Sequence, residues 1–99
     1  MSSCVFDIET NGLDEKLTKV HCIVIYDIES QEYHKYAPDD VPDGIAKLSE
    51  YDKLIGHNII SFDIPALEKV FKWTPRPEVQ IQDTLIMSRL MYPDMKERD

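Results

Sequence analysis

Asp7 and Glu9 stand two positions apart near the end of a short β-branched and aromatic stretch, Ser3-Cys4-Val5-Phe6-Asp7-Ile8-Glu9. In an extended strand that spacing sends both carboxylates out of one face. Like charges held together repel, and hard oxygen donors of this kind suit Mg²⁺ or Mn²⁺. Two solvent-facing acids at a strand end would be spelled the same way. Asp63 widens the choice. It stands at the start of a helical stretch and reads either as an N-cap whose carboxylate accepts backbone N–H bonds or as a third acid brought to the same place. Ligands of α/β sheets bind where strands end and loops leave, and three converging carboxylates can hold metal ions for phosphoryl transfer.

The elements that must position these residues follow from periodicity. The first strand stops at Thr10-Asn11-Gly12, a turn signal. From Val20 to Ile28 both alternating sets are apolar, which predicts a central strand covered on both faces. Asp27 to Gln31 is a polar turn, and Glu32 to Tyr36 reads as an edge strand charged on both faces. Pro38 and Pro42 bound an acidic loop, after which Asp43 is expected to cap a helix through about Glu50. Lys53 to His57 suits another strand. Ser61 to about Trp73 predicts a helix with Ile64, Leu67 and Phe71 on one face and Pro65 in its first turn. Asp83 opens a last helix to about Met91, apolar on too many sides for one stripe and so in need of partners on more than one. Three hairpin-linked strands, a helix, a strand and further helices make a mixed α/β sheet with helices packed on it.

Ninety-nine residues make one domain or less, and the net charge of −8 opposes attachment to nucleic acid by counterion release. Phosphate chemistry would need cations from outside. The longest apolar run, Cys22 to Tyr26, is too short to cross a membrane, and Met1-Ser2-Ser3 opens no secretory signal, so a cytoplasmic setting is expected. Cys4 and Cys22 read as reduced packing residues. His57 reads as a structural or hydrogen-bonding residue, and His21 and His34 as strand residues.

The stretches Phe6-Asp7-Ile8-Glu9-Thr10-Asn11-Gly12-Leu13 and His57-Asn58-Ile59-Ile60-Ser61-Phe62-Asp63-Ile64-Pro65-Ala66-Leu67 resemble the first and second motifs of the DEDD 3′–5′ exonucleases. The likeness is greatest to the N-terminal proofreading domain of phage family A DNA polymerases. Val20-x-Cys22-x-Val24-Ile25-Tyr26-Asp27 and Asp83-Thr84-Leu85-x-x-Ser88-Arg89-Leu90 resemble that family too. The resemblance implies a ribonuclease H-like fold and two-metal hydrolysis of the 3′-terminal phosphodiester of DNA. It assigns Asp7, Glu9 and Asp63 as catalytic metal ligands for two Mg²⁺ or Mn²⁺ ions. Asp7 would bridge both ions, Glu9 would ligate the first and touch the terminal 3′-hydroxyl, and Asp63 would hold the second. Leu13 matches the apolar wedge against the last base, or is a packed loop residue. Asn58 and Phe62 match positions lining the strand-binding cleft, and Phe62 also suits a core.

The family's third motif, Tyr-x-x-x-Asp, does not follow the second one. Tyr92 has Lys96 four residues on, and Asp99 matches nothing. The chain is therefore expected to be the N-terminal part of an exonuclease domain, without the third motif or a polymerase domain, and inactive or severely impaired alone. A catalytically dead module that binds a polymerase, a complementary fragment or another copy of itself is the alternative. The implied partners are the 3′ end of single-stranded DNA and the remaining exonuclease or polymerase portion, with no membrane, in the cytoplasm of an infected bacterium.

Overall fold

The computed structural model describes residues 2–12 and 14–86. Five strands form one sheet in the order β3-β2-β1-β4-β5, built from β1 (Ser3–Thr10), β2 (Val20–Asp27), β3 (Glu32–Tyr36), β4 (Lys53–Gly56) and β5 (Gln80–Asp83). The first three strands pair antiparallel, while β4 runs parallel to both β1 and β5. Helix α1 (Val41–Leu48) lies between β3 and β4 in the chain, and a π-helical turn (Ile59–Asp63) leads from β4 into helix α2 (Ile64–Phe71).

Alternation along β1 decides where the core sits. Cys4, Phe6 and Ile8 point to the covered face and join Ile23 and Ile25 of β2 and Leu54 of β4, under Val41 and Leu48 of α1 and Ala66 and Leu67 of α2. Asp7 and Glu9 occupy the other phase, on the open face. On β1, four-residue β4 reaches only Ser3–Val5. The second half of β1 thus has a sheet neighbour on the β2 side alone, and that is the half bearing the acids.

Several expectations are corrected by tertiary context. The middle strand is β1, with β2 beside it. Among the described residues helices cover only one face of β2, and Val24 and Tyr26 on the other are half-buried by neighbouring side chains, such as the Tyr33 ring 4.7 Å from that of Tyr26. Helix α1 starts three residues early, with Asp40 at the N-cap position, so Asp43 lies inside its first turn, where its charge meets the positive end of the helix. Strand β5 was hidden by its shortness and polarity, Gln-Ile-Gln-Asp. The last helix is under way at 84–86, and the rest of its expected span to Met91, like Leu13, lies outside the described residues. Among the described residues no helix is long and apolar enough to cross a membrane.

Gly56 ends β4 where two elements close in: an added Cβ would overlap Ile59 Cγ2 and stand 2.9 Å from the Phe6 carbonyl oxygen. Both neighbours belong to the frame of the acidic site, and a backbone carbonyl cannot swing aside. Gly56→Ala is expected to cost about 1–3 kcal/mol, the usual range for overpacking, read as a lower urea midpoint at unchanged slope.

Candidate functional site

Asn58 begins the approach to the site by taking the left-handed conformation, φ 61°. Asparagine tolerates this better than most residues. The chain then winds through the π-helical turn and delivers Asp63 to the open side of β1, where Asp63 Oδ2 accepts the Ile8 N–H at 3.3 Å. That amide lies beyond the last β4 pairing, so the carboxylate takes the place of a neighbouring strand. Asp63 does not cap α2: its own backbone is helical and its side chain makes no cap bond. The expected cap fails because the turn before α2 already continues the helical backbone.

Asp63 is only 3% exposed. Burial, then the charge of Asp7, then that of Asp83 push its carboxyl up to about 7, against the opposing pull of the Ile8 N–H. Asp7 is exposed beside it, opposite Val24 of β2. Glu9 sits one step further along the same face, opposite Cys22, whose thiol is pushed up by burial and by the Glu9 carboxylate. Among the described residues no Lys or Arg pairs with Asp7 or Asp63, and no three His, Cys, Asp or Glu side chains converge as a ready-made metal cluster. The fit to a cation is carried by the pair: a buried carboxylate and a second one against it, both hard oxygen donors whose repulsion a divalent ion would cancel.

The other expected site residues divide. Phe62 packs partly against the core and also lines a hollow of about 90 Å³ with Leu17, Ser61, Pro65, Ala66 and Lys69, so it is both core and wall. Asn58 meets the end of β5 through its backbone, its N–H donating to Asp83 Oδ1 at 2.8 Å. His57 pairs through Nδ1 with Thr84 Oγ1 at 3.0 Å, a structural role. Tyr36 and Asp40 carry the Tyr-x-x-x-Asp spelling upstream of the second motif, but Tyr36 lies on edge strand β3 with its ring against Gly44. Strand β2 separates it from the acids.

Asp83 is the residue whose reach local sequence reading missed. It is 4% exposed and caps the stretch at 84–86 by accepting the Leu85 N–H at 2.9 Å, as its position suggested. It also accepts the N–H groups of Asn58 at 2.8 Å and Ile60 at 3.0 Å. Burial works against its charged form, yet the N–H donors outweigh it and hold the carboxyl below its ordinary value.

The comparisons with known proteins agree with this geometry. The chain is 39% identical over 104 aligned residues to the DNA-directed DNA polymerase of Enterobacteria phage T3 and 38% identical to that of Escherichia phage T7, in each case over 96% of this chain. It spans about 15% of the length of these relatives. The family B DNA polymerase of the archaeon Pyrobaculum calidifontis shares the fold, with TM-score 0.59 and 19% identity over 72% of this chain and 11% of that one. A family model described as RNase H superfamily matches residues 4–96, nearly the whole mixed sheet and its helices. With its central β1 carrying the acids and its parallel β4 and β5 beyond, the chain belongs to the RNase H superfamily.

Proposed function

We propose that the chain is the N-terminal part of a 3′–5′ exonuclease domain of the kind attached to DNA polymerases, acting on the 3′ end of single-stranded DNA. The observation that carries this reading is the buried Asp63 carboxylate set against Asp7 at the half of β1 that has no β4 partner. Asp7 and Asp63 would hold Mg²⁺ or Mn²⁺, with Glu9 one step along the same face as the further ligand the resemblance implies, and the cation when bound supplies Lewis-acid stabilisation of charge on a phosphodiester. Asp63, whose carboxyl is pushed up to about 7 by burial and by Asp7, would have to be ionised to serve as such a ligand. Phe62 forms a wall of the neighbouring hollow, and Asn58 sets the turn that presents it.

No Tyr-x-x-x-Asp follows Asp63 within the 99 residues, so this stretch by itself supplies no group from that motif to complete the site and orient water. Such assistance is worth about 10²–10⁴-fold. The purified polypeptide is expected to bind a 3′-hydroxyl single strand in Mn²⁺, seen as fluorescence anisotropy that Asp7→Ala removes, and to release no terminal nucleotide above that variant's background. Release that depends on Asp7 would overturn the impairment. Absence of Mn²⁺-dependent binding would overturn the exonuclease reading.

A second reading, a self-associating module, is favoured by the open sheet face. Val5, Val24, Tyr26 and Tyr33 line a hollow there of about 300 Å³, and Tyr33 is 68% exposed. Exposed apolar patches of this kind mark interaction surfaces. Light scattering that returns a monomer mass at high concentration would dismiss it.

A further inference from the structure

Asp83 and Thr84 leave β5 directly beside the end of β4, since Asp83 is the register partner of Gly56. From that position they grip the segment leading to Asp63 at four successive points. Thr84 Oγ1 donates to the Gly56 carbonyl at 3.4 Å and pairs with His57 Nδ1 at 3.0 Å. Asp83 receives the N–H groups of Asn58 and Ile60 on its two oxygens. Hydrogen bonds to an ionised carboxylate are the strong kind, and Asp83 is a buried one. The segment it holds is irregular: a left-handed Asn58 followed by a π-helical turn. A path of that sort persists only where its surroundings over-determine it.

We propose that Asp83, assisted by Thr84, is a positioning residue that fixes the Gly56–Asp63 path so that the Asp63 carboxylate is held on β1 beside Asp7. It makes no hydrogen bond to Asp7 or Asp63, so it positions Asp63 through the turn, while its charge adds a smaller upward push on the Asp63 carboxyl. The inference deepens the exonuclease reading and rests on it for its catalytic meaning, but its geometric content is testable without metal.

The reporter is the Ile8 amide, on a strand Asp83 does not touch, whose acceptor is Asp63. In Asp83→Asn one oxygen acceptor becomes an N–H₂ donor facing backbone N–H groups. Amide hydrogen exchange at Ile8 is expected to accelerate about tenfold beyond any acceleration of the Ile23 and Ile25 amides, which report the sheet core. Tyr51→Phe removes the Tyr51 hydroxyl bond to Asp27 Oδ2, 2.8 Å, at the far end of the sheet, and should move all three amides together. If Asp83→Asn does not fold, Thr84→Val decides, with an expected excess at Ile8 of about threefold. Ile8 tracking the core amides in the folded variant overturns the proposal. In a separate arm, Mn²⁺ titration of the folded variant should show weaker binding than Tyr51→Phe. An unaltered chain that binds no Mn²⁺ would sink the exonuclease reading while leaving the exchange result to judge the positioning role.

Discussion

In the presence of a chelator, the chain is expected to lose stability as pH rises from about 4 to 8, and Asp63→Asn is expected to abolish most of that loss. The carboxyl of Asp63 sits at about 7 in the folded chain, pushed up from 3.8 by burial and then by Asp7. Between those two values the folded chain holds a proton that the unfolded chain has released. Stability therefore falls with rising pH across this window and levels off above it. The displacement corresponds to about 4 kcal/mol at the plateau, a large part of the 5–15 kcal/mol that typically separates folded from unfolded domains. Asp27, Asp52 and Asp83 act with the opposite sign. Backbone N–H donors hold all three below their ordinary values, so their contribution is present above about pH 4 and lost as pH falls through their folded values. Maximum stability should thus lie near pH 4–5. In Asp63→Asn the side chain is neutral at every pH and its oxygen can still accept the Ile8 N–H. Urea midpoints from pH 4 to 8 give the comparison, and parallel profiles for the two proteins would dismiss the assignment.

The acids were legible because their signal is local. A two-residue spacing on a strand fixes Asp7 and Glu9 to one face whatever the rest of the fold does, and β1 places them there. Asp63 was legible as a candidate only. Its choice between capping α2 and meeting Asp7 is made by the parallel pairing of β4 with β1, which brings residues more than fifty positions apart to one amide. The grip of Asp83 on the 58–60 segment was not legible for the same reason, although its place at the start of the last helix was. Strand β5 escaped because four residues with one apolar side chain among them, Ile81, carry no periodic signal, and their pairing is supplied by β4. At β2 apolar residues on both phases suggested two covered faces; the strand lies inside the sheet, and among the described residues Ile23 and Ile25 are fully buried while Val24 and Tyr26 on the other phase are half-buried. The net charge changes meaning in this light. Part of the acidity that opposes bulk attachment to DNA, Asp7 and Glu9, lies on one face of β1, and Asp63 is buried beside Asp7.

Divalent cation is expected to reverse both the pH slope and the effect of removing Asp7. Without metal, the Asp7 charge is the second cause of the raised Asp63 carboxyl, so Asp7→Ala should stabilise the folded chain at pH 8 by relieving repulsion. With Mn²⁺ the same substitution removes a ligand. A metal that binds only the folded state stabilises it by mass action, about 2.7 kcal/mol at a free concentration one hundred times Kd. Because the bound form requires ionised carboxylates, binding strengthens as pH rises through 7. Stability in Mn²⁺ should accordingly rise across the window where the chelated protein declines, and Asp7→Ala should lose that rise. A double-mutant cycle of Asp7→Ala with Asp63→Asn isolates the pair, since the two carboxylates are neighbours and their effects will not add. The coupling energy should change sign between chelator and Mn²⁺: repulsive carboxylates in one, joint ligands in the other. Coupling that keeps its sign would mean that the two acids never share a cation. Asp63 would then be a strand-edge substitute on the Ile8 amide, buried at a cost for architecture alone.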